Sequence, residues 1–487
     1  MAARTGDEFL KGLSARQNDL WVGNEKVGDV TEHPAFAGAA KQMAAVFDRQ
    51  HQYADECLIP DDETGELINV SHMIPRSVAD LKKRHVGLSR ISEATMGLMG
   101  RTPDYMNVTY AGFAGDPAAW SGPDNVNARG CENLINFQKR LRRDDVSLTH
   151  TIVHPTIDRM HDKDFTDNRH VPLHKVGETS EGIVVRGARI LATLAPFADE
   201  MAVYPGHPLP DGAGDEYAIS FSIPMDTPGM VLLCRDSATV VGVDTFDKPF
   251  SGGYDEQDAF VIFDDVVVPH NCVFIGGDVE TYNTAMSTNW WPNIMQQTTI
   301  RALTKMEFLY GLATRVAEAV NDMNEGTLDM LGELAGYVEV TRNAILCAED
   351  HAYDNGNGVF YPEARALHPM RALLATWFPR ANEIIALIGS HNLLATPTRA
   401  MLDDDRLRPL LEQYLCGANG VSAEDRAAVY RLAWDFIGSG LGARNNLYER
   451  NYLGSAKTSR VGAHMRFMDR TRAYALVDDM LSRSSSD

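Results

Sequence analysis

The segment Met99-Gly-Arg-Thr-Pro-Asp-Tyr-Met-Asn107 places a permanent cation, Arg101, four residues before a phenol, Tyr105. On a helix that spacing puts both on one face, and in a turn it brings them close. A fixed guanidinium beside a phenolic donor suits an anionic or phenolic ligand oxygen. A plainer arrangement, a surface turn with Arg101 paired to Asp104, uses the same residues. In Ser147-Leu-Thr-His-Thr-Ile-Val-His-Pro-Thr-Ile-Asp-Arg159, His150 and His154 stand four apart before Pro155. They could be hydrogen-bonded members of a strand, and no nearby Cys or Glu completes a metal site around them. In Arg186-Gly-Ala-Arg-Ile-Leu-Ala-Thr-Leu-Ala-Pro196, Gly187 permits a tight turn and Thr193 can donate to a ring heteroatom or simply pack in a strand. Finally, Gly438-Ser-Gly-Leu-Gly442 ends a helix just before Arg444. Freed backbone N–H groups beside an arginine suit a ligand's polar edge, although an ordinary helix–loop–helix corner has the same sequence.

The chain has no G-x-x-x-x-G-K-[ST], no G-x-S-x-G and no H-E-x-x-H. The 438–442 glycines follow a helix rather than a strand, so they fail the context of a dinucleotide fingerprint. A cofactor would therefore be held by shape and scattered polar contacts.

Three textures must position these groups, and they predict an α+β fold. Residues 1–145 read as a helical domain, with helices over Phe36–Tyr53, Val70–Leu98 and Cys131–Leu141 and a Gly/Pro-rich loop over Ala114–Arg129. Residues 146–277 read as a β domain, a small barrel or sandwich, from short runs at 182–187, 217–224, 229–235, 258–263 and 266–269. Residues 278–487 read as a four-helix bundle over Thr298–Asn321, Leu328–Tyr353, Pro369–Gly389 and Ala423–Gly438, the last capped by Ser422. That order resembles the acyl-CoA dehydrogenase architecture, in which a flavin lies between the β domain and the helices.

At 487 residues and 44% hydrophobic, the chain can bury a large core. Its formal charge of −22 opposes binding to nucleic acid or anionic membranes. The N-terminus has no apolar signal region. No run approaches the ~18 apolar residues of a membrane span, the nearest being Ile384–Asn392. A soluble, cytoplasmic protein is expected. Six scattered cysteines without C-x-x-C read as packing residues rather than disulfides or cluster ligands.

Together, Gly100-Arg-Thr-Pro-Asp-Tyr105, Gly187-Ala-Arg-Ile-Leu-Ala-Thr193 and Leu447-Tyr-Glu-Arg450 resemble the 4-hydroxyphenylacetate 3-hydroxylase family, large oxygenase component, and the likeness runs from Arg4 to Gly454. The resemblance implies a monooxygenase that hydroxylates a phenolic ring through a flavin C4a-hydroperoxide. Its cofactor would be diffusible reduced FAD from a separate NAD(P)H–flavin reductase, with O2 as co-substrate, in a homotetramer. It implies that Arg101, Tyr105 and His150 surround the phenol. Flavin contacts would come from His150, Thr151, Ile152, Val153, Thr156, Asp158 and Thr193, and from Gly442, Ala443, Arg444 and Asn445. Pro205 and Gly206 match a substrate loop but depart from the Ser-Thr pair associated with 4-hydroxyphenylacetate enzymes, which leaves phenol, chlorophenols, nitrophenols and tyrosine derivatives open. Asn289–Gln297 lacks the His that deprotonates phenol in some relatives, so His150 must serve as base or the substrate enters as phenolate. The missing cysteines there and at 96–103 oppose a 4-hydroxybutyryl-CoA dehydratase, whose iron–sulfur cluster needs thiolates. Two rivals remain: an acyl-CoA dehydrogenase-type enzyme with tightly bound FAD and a Glu base, and a non-catalytic scaffold.

Overall fold

The computed structural model describes residues 3–157, 165, 167–285 and 290–484. Helices dominate up to Asp144, strands from Leu148 to Gly276, and helices again from Val279. Among the described residues no helix is long and apolar enough to cross a membrane.

The helix Pro103–Ala114 carries Tyr105 into the interior. Proline begins it, where a missing N–H costs nothing, and every residue from Pro103 to Phe113 is buried. A helix enclosed on all sides needs no amphipathic stripe, and it packs on the long helix Trp290–Glu318. The expected helix over Val70–Leu98 is instead a 3₁₀ turn at Val70–His72 and a helix over Val78–Glu93. Pro75 breaks the run, and Ser77 caps the new start by accepting from the Asp80 N–H.

The β segments form two open sheets among the described residues, not a closed barrel. The six-stranded sheet runs in the order Glu25–Lys26, Asp19–Val22, Met230–Cys234, Asp258–Pro269, Gly182–Thr193, His174–Glu178. The four-stranded sheet runs Val273–Gly276, Ile219–Pro224, Glu200–Val203, Leu148–Thr151. An antiparallel bridge between Val153 and Ile190 joins them at one corner. The N-terminal strand at Asp19–Val22 extends the first sheet, pairing in parallel with Met230–Cys234, and the helix Ala128–Asp144 packs against the Val273–Gly276 edge of the second. The runs expected at 258–263 and 266–269 are one strand. A register shift between Phe263 and Val266, with Asp265 in the left-handed region (φ 53°), hides the continuity.

The bundle helices are Trp290–Glu318, Glu325–Asp350, Ala364–Gly389 and Ala423–Gly438, the last with Ser422 as its cap. One core unites them with the Pro103–Ala114 helix, and a second lies between the sheets and the first helices. Tyr105 belongs to the first core and Met99 to the second, so Gly100–Thr102 crosses the seam between them.

Candidate functional site

At that seam Arg101 and Tyr105 are each only 9% exposed, which rules out a surface turn. The Arg101 guanidinium lies 4.0 Å from the Tyr105 ring centre and 4.4 Å from that of Tyr452. It does not pair with Asp104, whose Oδ2 accepts from Gln297 Nε2 at 2.7 Å. Among the described residues no carboxylate forms an ion pair with Arg101. Its Nη1 donates to the Gly100 carbonyl at 3.3 Å, and its Nε is buried without a partner. Burial pulls the Arg101 pKa down, while the phenols of Tyr105, Tyr448 and Tyr452 push it up with a net rise, so the group stays a cation.

His150, in the strand Leu148–Thr151, stacks on Tyr105 with ring centres 5.4 Å apart, and on Tyr204 at 5.5 Å. Burial, and then the Arg101 charge, hold its pKa well below 6.5. The result is a layered stack: a cation, a phenol, a neutral imidazole and a second phenol. His154 is separate. It packs edge-on against Phe165, and burial, then Arg189 and His207, push its pKa down to about 2.

The other expected positions are placed as follows. Ile152 gives its carbonyl to Arg189 Nη1 at 3.0 Å, and Gly206 packs against the same carbonyl; a Cβ there would sit 2.5 Å from it. Pro205 and Gly206 directly follow Tyr204. Thr151 donates to the Ile190 carbonyl at 3.4 Å, and Val153 bridges Ile190. Thr156 is exposed, and Asp158 lies outside the described residues. Gly442, Ala443, Arg444 and Asn445 open the helix Gly440–Asn451, where Ser439 caps the Gly442 N–H.

Arg444 is not an open cation. Its fork reaches Asp258 at 2.6 and 2.9 Å and Glu256 at 2.7 Å. Thr193 likewise donates its hydroxyl to Asp258 at 2.7 Å. Burial would raise the Asp258 pKa, but Arg444 and Arg235 hold it well below the carboxylate range. Glu256 accepts the Gly100 and Arg101 main-chain N–H groups at 2.8 and 3.1 Å. Three segments predicted separately, at 101, 193 and 444, are thus joined by two carboxylates that sequence reasoning passed over. Asp258 was read only as the start of the 258–263 run, and Glu256, just before it, carries no motif that marks it as buried. Tyr448 and Tyr452 were also missed, yet Arg444, Tyr448 and Tyr452 are spaced i, i+4, i+8, and that spacing could have marked one helix face.

The residues present fit a flavin. Val153, Ile190 and Leu191 expose apolar side chains beside Thr193, a surface suited to a planar ring system, and the Arg101 Nε awaits an acceptor. Two sequence models match the chain: 4-hydroxyphenylacetate 3-hydroxylase N terminal over residues 5–275, and its C-terminal counterpart over residues 282–482. The chain belongs to the 4-hydroxyphenylacetate 3-hydroxylase family. The 4-hydroxyphenylacetate 3-monooxygenase oxygenase component of Thermus thermophilus is 36% identical over 93% of this chain and 92% of its own. The oxygenase component of a Rhodococcus 4-nitrophenol 2-monooxygenase is 31% identical over 94% and 87%. A crystal structure of a 4-hydroxyphenylacetate 3-monooxygenase oxygenase component, complexed with FAD and 4-hydroxyphenylacetate, superposes with a TM-score of 0.92 at 33% identity, covering 99% of both chains.

Proposed function

We propose that this family member is the oxygenase component of a two-component monooxygenase. It takes reduced FAD from a separate NAD(P)H–flavin reductase and uses O2 to hydroxylate a phenolic ring. The observation that carries the reading is the buried Arg101, which has no carboxylate partner among the described residues and lies against Tyr105 beside a neutral His150.

Bound reduced flavin supplies the electrons that activate O2. The chain's own groups handle the phenol. Arg101 stabilises the negative charge that gathers on the phenol oxygen as the ring becomes electron-rich, an interaction strengthened by the enclosed setting. His150 is neutral and can accept from that oxygen where a protonated imidazole could not; because burial and Arg101 also weaken it as a base, it takes the proton only as Arg101 stabilises the phenolate, or the substrate enters already as phenolate. Tyr105, packed between Arg101 and His150, orients the same oxygen. Pro205 and Gly206, after Tyr204, border the ring, and Thr151 to Val153 and Thr193 line the flavin side. Arg444, engaged by Asp258 and Glu256, acts through its frame rather than through a free fork. The active form is a homotetramer.

Arg101→Ala and His150→Ala test the assignment. With reduced FAD, O2 and a panel of substituted phenols, each variant should keep its fold but form less product per reduced flavin and release more hydrogen peroxide. Losing a charged hydrogen bond to a buried oxygen costs roughly 2–4 kcal/mol, a rate loss on the order of a hundredfold. Wild-type yields from both variants across the panel would make the stack structural. Oxidation of NADH by the chain alone would remove the need for a reductase.

A further inference from the structure

We propose that Glu256 is a positioning residue for Arg101: one carboxylate oxygen takes the Gly100 and Arg101 N–H groups, Arg444 holds the other, and the pair fixes where the guanidinium meets the phenol oxygen. This role rests on the functional reading above, in which Glu256 only engages Arg444, and adds to it a hold on Arg101.

The Arg101 side chain itself has few polar anchors. Its guanidinium touches aromatic faces and, at 3.3 Å, one carbonyl, and no carboxylate clamps it among the described residues. A cation held by ring faces can slide, so its position is set by the main chain that carries it. That main chain is anchored firmly. Glu256 is fully buried, and its Oε2 receives both N–H groups, at 2.8 Å from Gly100 and 3.1 Å from Arg101. Its Oε1 receives Arg444 Nη1 at 2.7 Å, and its own carbonyl receives the Leu194 N–H at 3.1 Å. Glu256 therefore ties the Gly100–Arg101 peptide to the helix Gly440–Asn451 and to the end of the strand Gly182–Thr193 at once. Gly100 allows the close approach on the other side, where a Cβ would lie 2.6 Å from the Tyr448 ring and hydroxyl.

The arrangement also explains why a carboxylate can serve here. Paired directly with the guanidinium, it would occupy the donors that a phenol oxygen needs. Bonded to the backbone instead, it fixes the position and leaves those donors free. A displacement near 1 Å at a reacting group can cost about a hundredfold in rate, so an anchor on the backbone has a kinetic effect.

The test uses the full chain with Glu256→Ala and Glu256→Gln. Glutamine keeps an acceptor oxygen for the two N–H groups but turns an NH2 donor onto Arg444, so it should retain an intermediate hydroxylation yield, whereas alanine should lower product per reduced FAD at least tenfold. In an Arg101→Met background, Glu256→Ala should cause little further loss. Two readouts do not depend on turnover. Amide hydrogen exchange in the flavin-free protein should speed up at Gly100 and Arg101 in Glu256→Ala. The ionisation of bound 4-nitrophenol, followed by its absorbance, should move to higher pH. Unchanged exchange at those amides, or a Glu256→Ala loss that adds in full to that of Arg101→Met, overturns this proposal alone. A wild-type chain that neither binds nor hydroxylates any phenol overturns the functional reading and this proposal with it.

Discussion

Asp104 sits between Arg101 and Tyr105 in sequence but points away from them, towards Gln297 and a cavity of about 10 Å³ lined also by Gln50, Asn69, Asn107 and Asp145. Burial pushes its pKa up to about 6, against the opposing hydrogen bonds from Thr102 and Gln297. A carboxyl whose folded pKa is raised gives stability that is complete below its unfolded pKa of 3.8 and is lost as pH rises through about 6. A rise of that size corresponds to about 3 kcal/mol. Asp104→Asn should therefore melt higher than wild type at pH 8, with the difference shrinking towards pH 4; a difference that does not change with pH would show that Asp104 is not the titrating group. At this scale the sequence offered Arg101, Tyr105 and His150 as candidates, beside the plainer surface turn and strand, because a guanidinium, a phenol and an imidazole can handle a phenol oxygen; the structure brings the three into one stack. Glu256 and Asp258 could not be picked out in this way, because a carboxylate reads as surface until the fold shows the two arginines and the two main-chain N–H groups that accompany it into the interior.

Between elements, a buried ionic cluster joins the helix Gly440–Asn451 to the helix Trp290–Glu318. Glu449 accepts from Arg301 at 2.8 and 2.9 Å and from Lys305 at 2.7 Å, and all three are buried. Burial would raise the Glu449 pKa, but the two cations hold it down to about 2. Its contribution is present above the unfolded carboxylate pKa near 4.5 and is lost as pH falls towards 2. Glu449→Gln strands two buried cations and should destabilise the chain by about 3–5 kcal/mol at pH 7. Adding Lys305→Met should recover part of that loss, since one stranded charge is gone. If Glu449→Gln melts like wild type, the three groups do not hold the helices together. The long helices themselves were legible because their apolar spacing persists over many turns. The helix Ala423–Gly438 was located to the residue by its Ser422 cap. The β layer was read only as strands. Which edges pair, and that Asp19–Val22 from the N-terminal region joins the first sheet, depends on distant pairings such as Asp19 with Val231 that no local pattern records.

On the scale of the whole molecule, the last helix does not fit a lone subunit. Thr471–Ser484 has no buried residue, and Tyr474, Leu476, Val477 and Met480 are each more than half exposed. An isolated helix of this length is marginal in water, and helical stability in proteins comes mostly from packing an apolar face. Tyr474 and Val477 are three apart and Leu476 and Met480 four apart, so each pair shares a side of the helix. The homotetramer proposed above would supply the missing surface, with the helix packed against a second copy, as closed symmetric assemblies of identical chains commonly arrange. The charge of −22 acts against association and must be offset by apolar contact of this kind. Light scattering of the full chain should then give a mass near four times 53.7 kDa. A chain ending at Arg470 should give a smaller species whose mass depends on concentration. A full-length monomer would reject the assembly, and a truncated chain that remains a tetramer would remove the last helix from the interface, leaving the exposed side chains of the bundle to account for it.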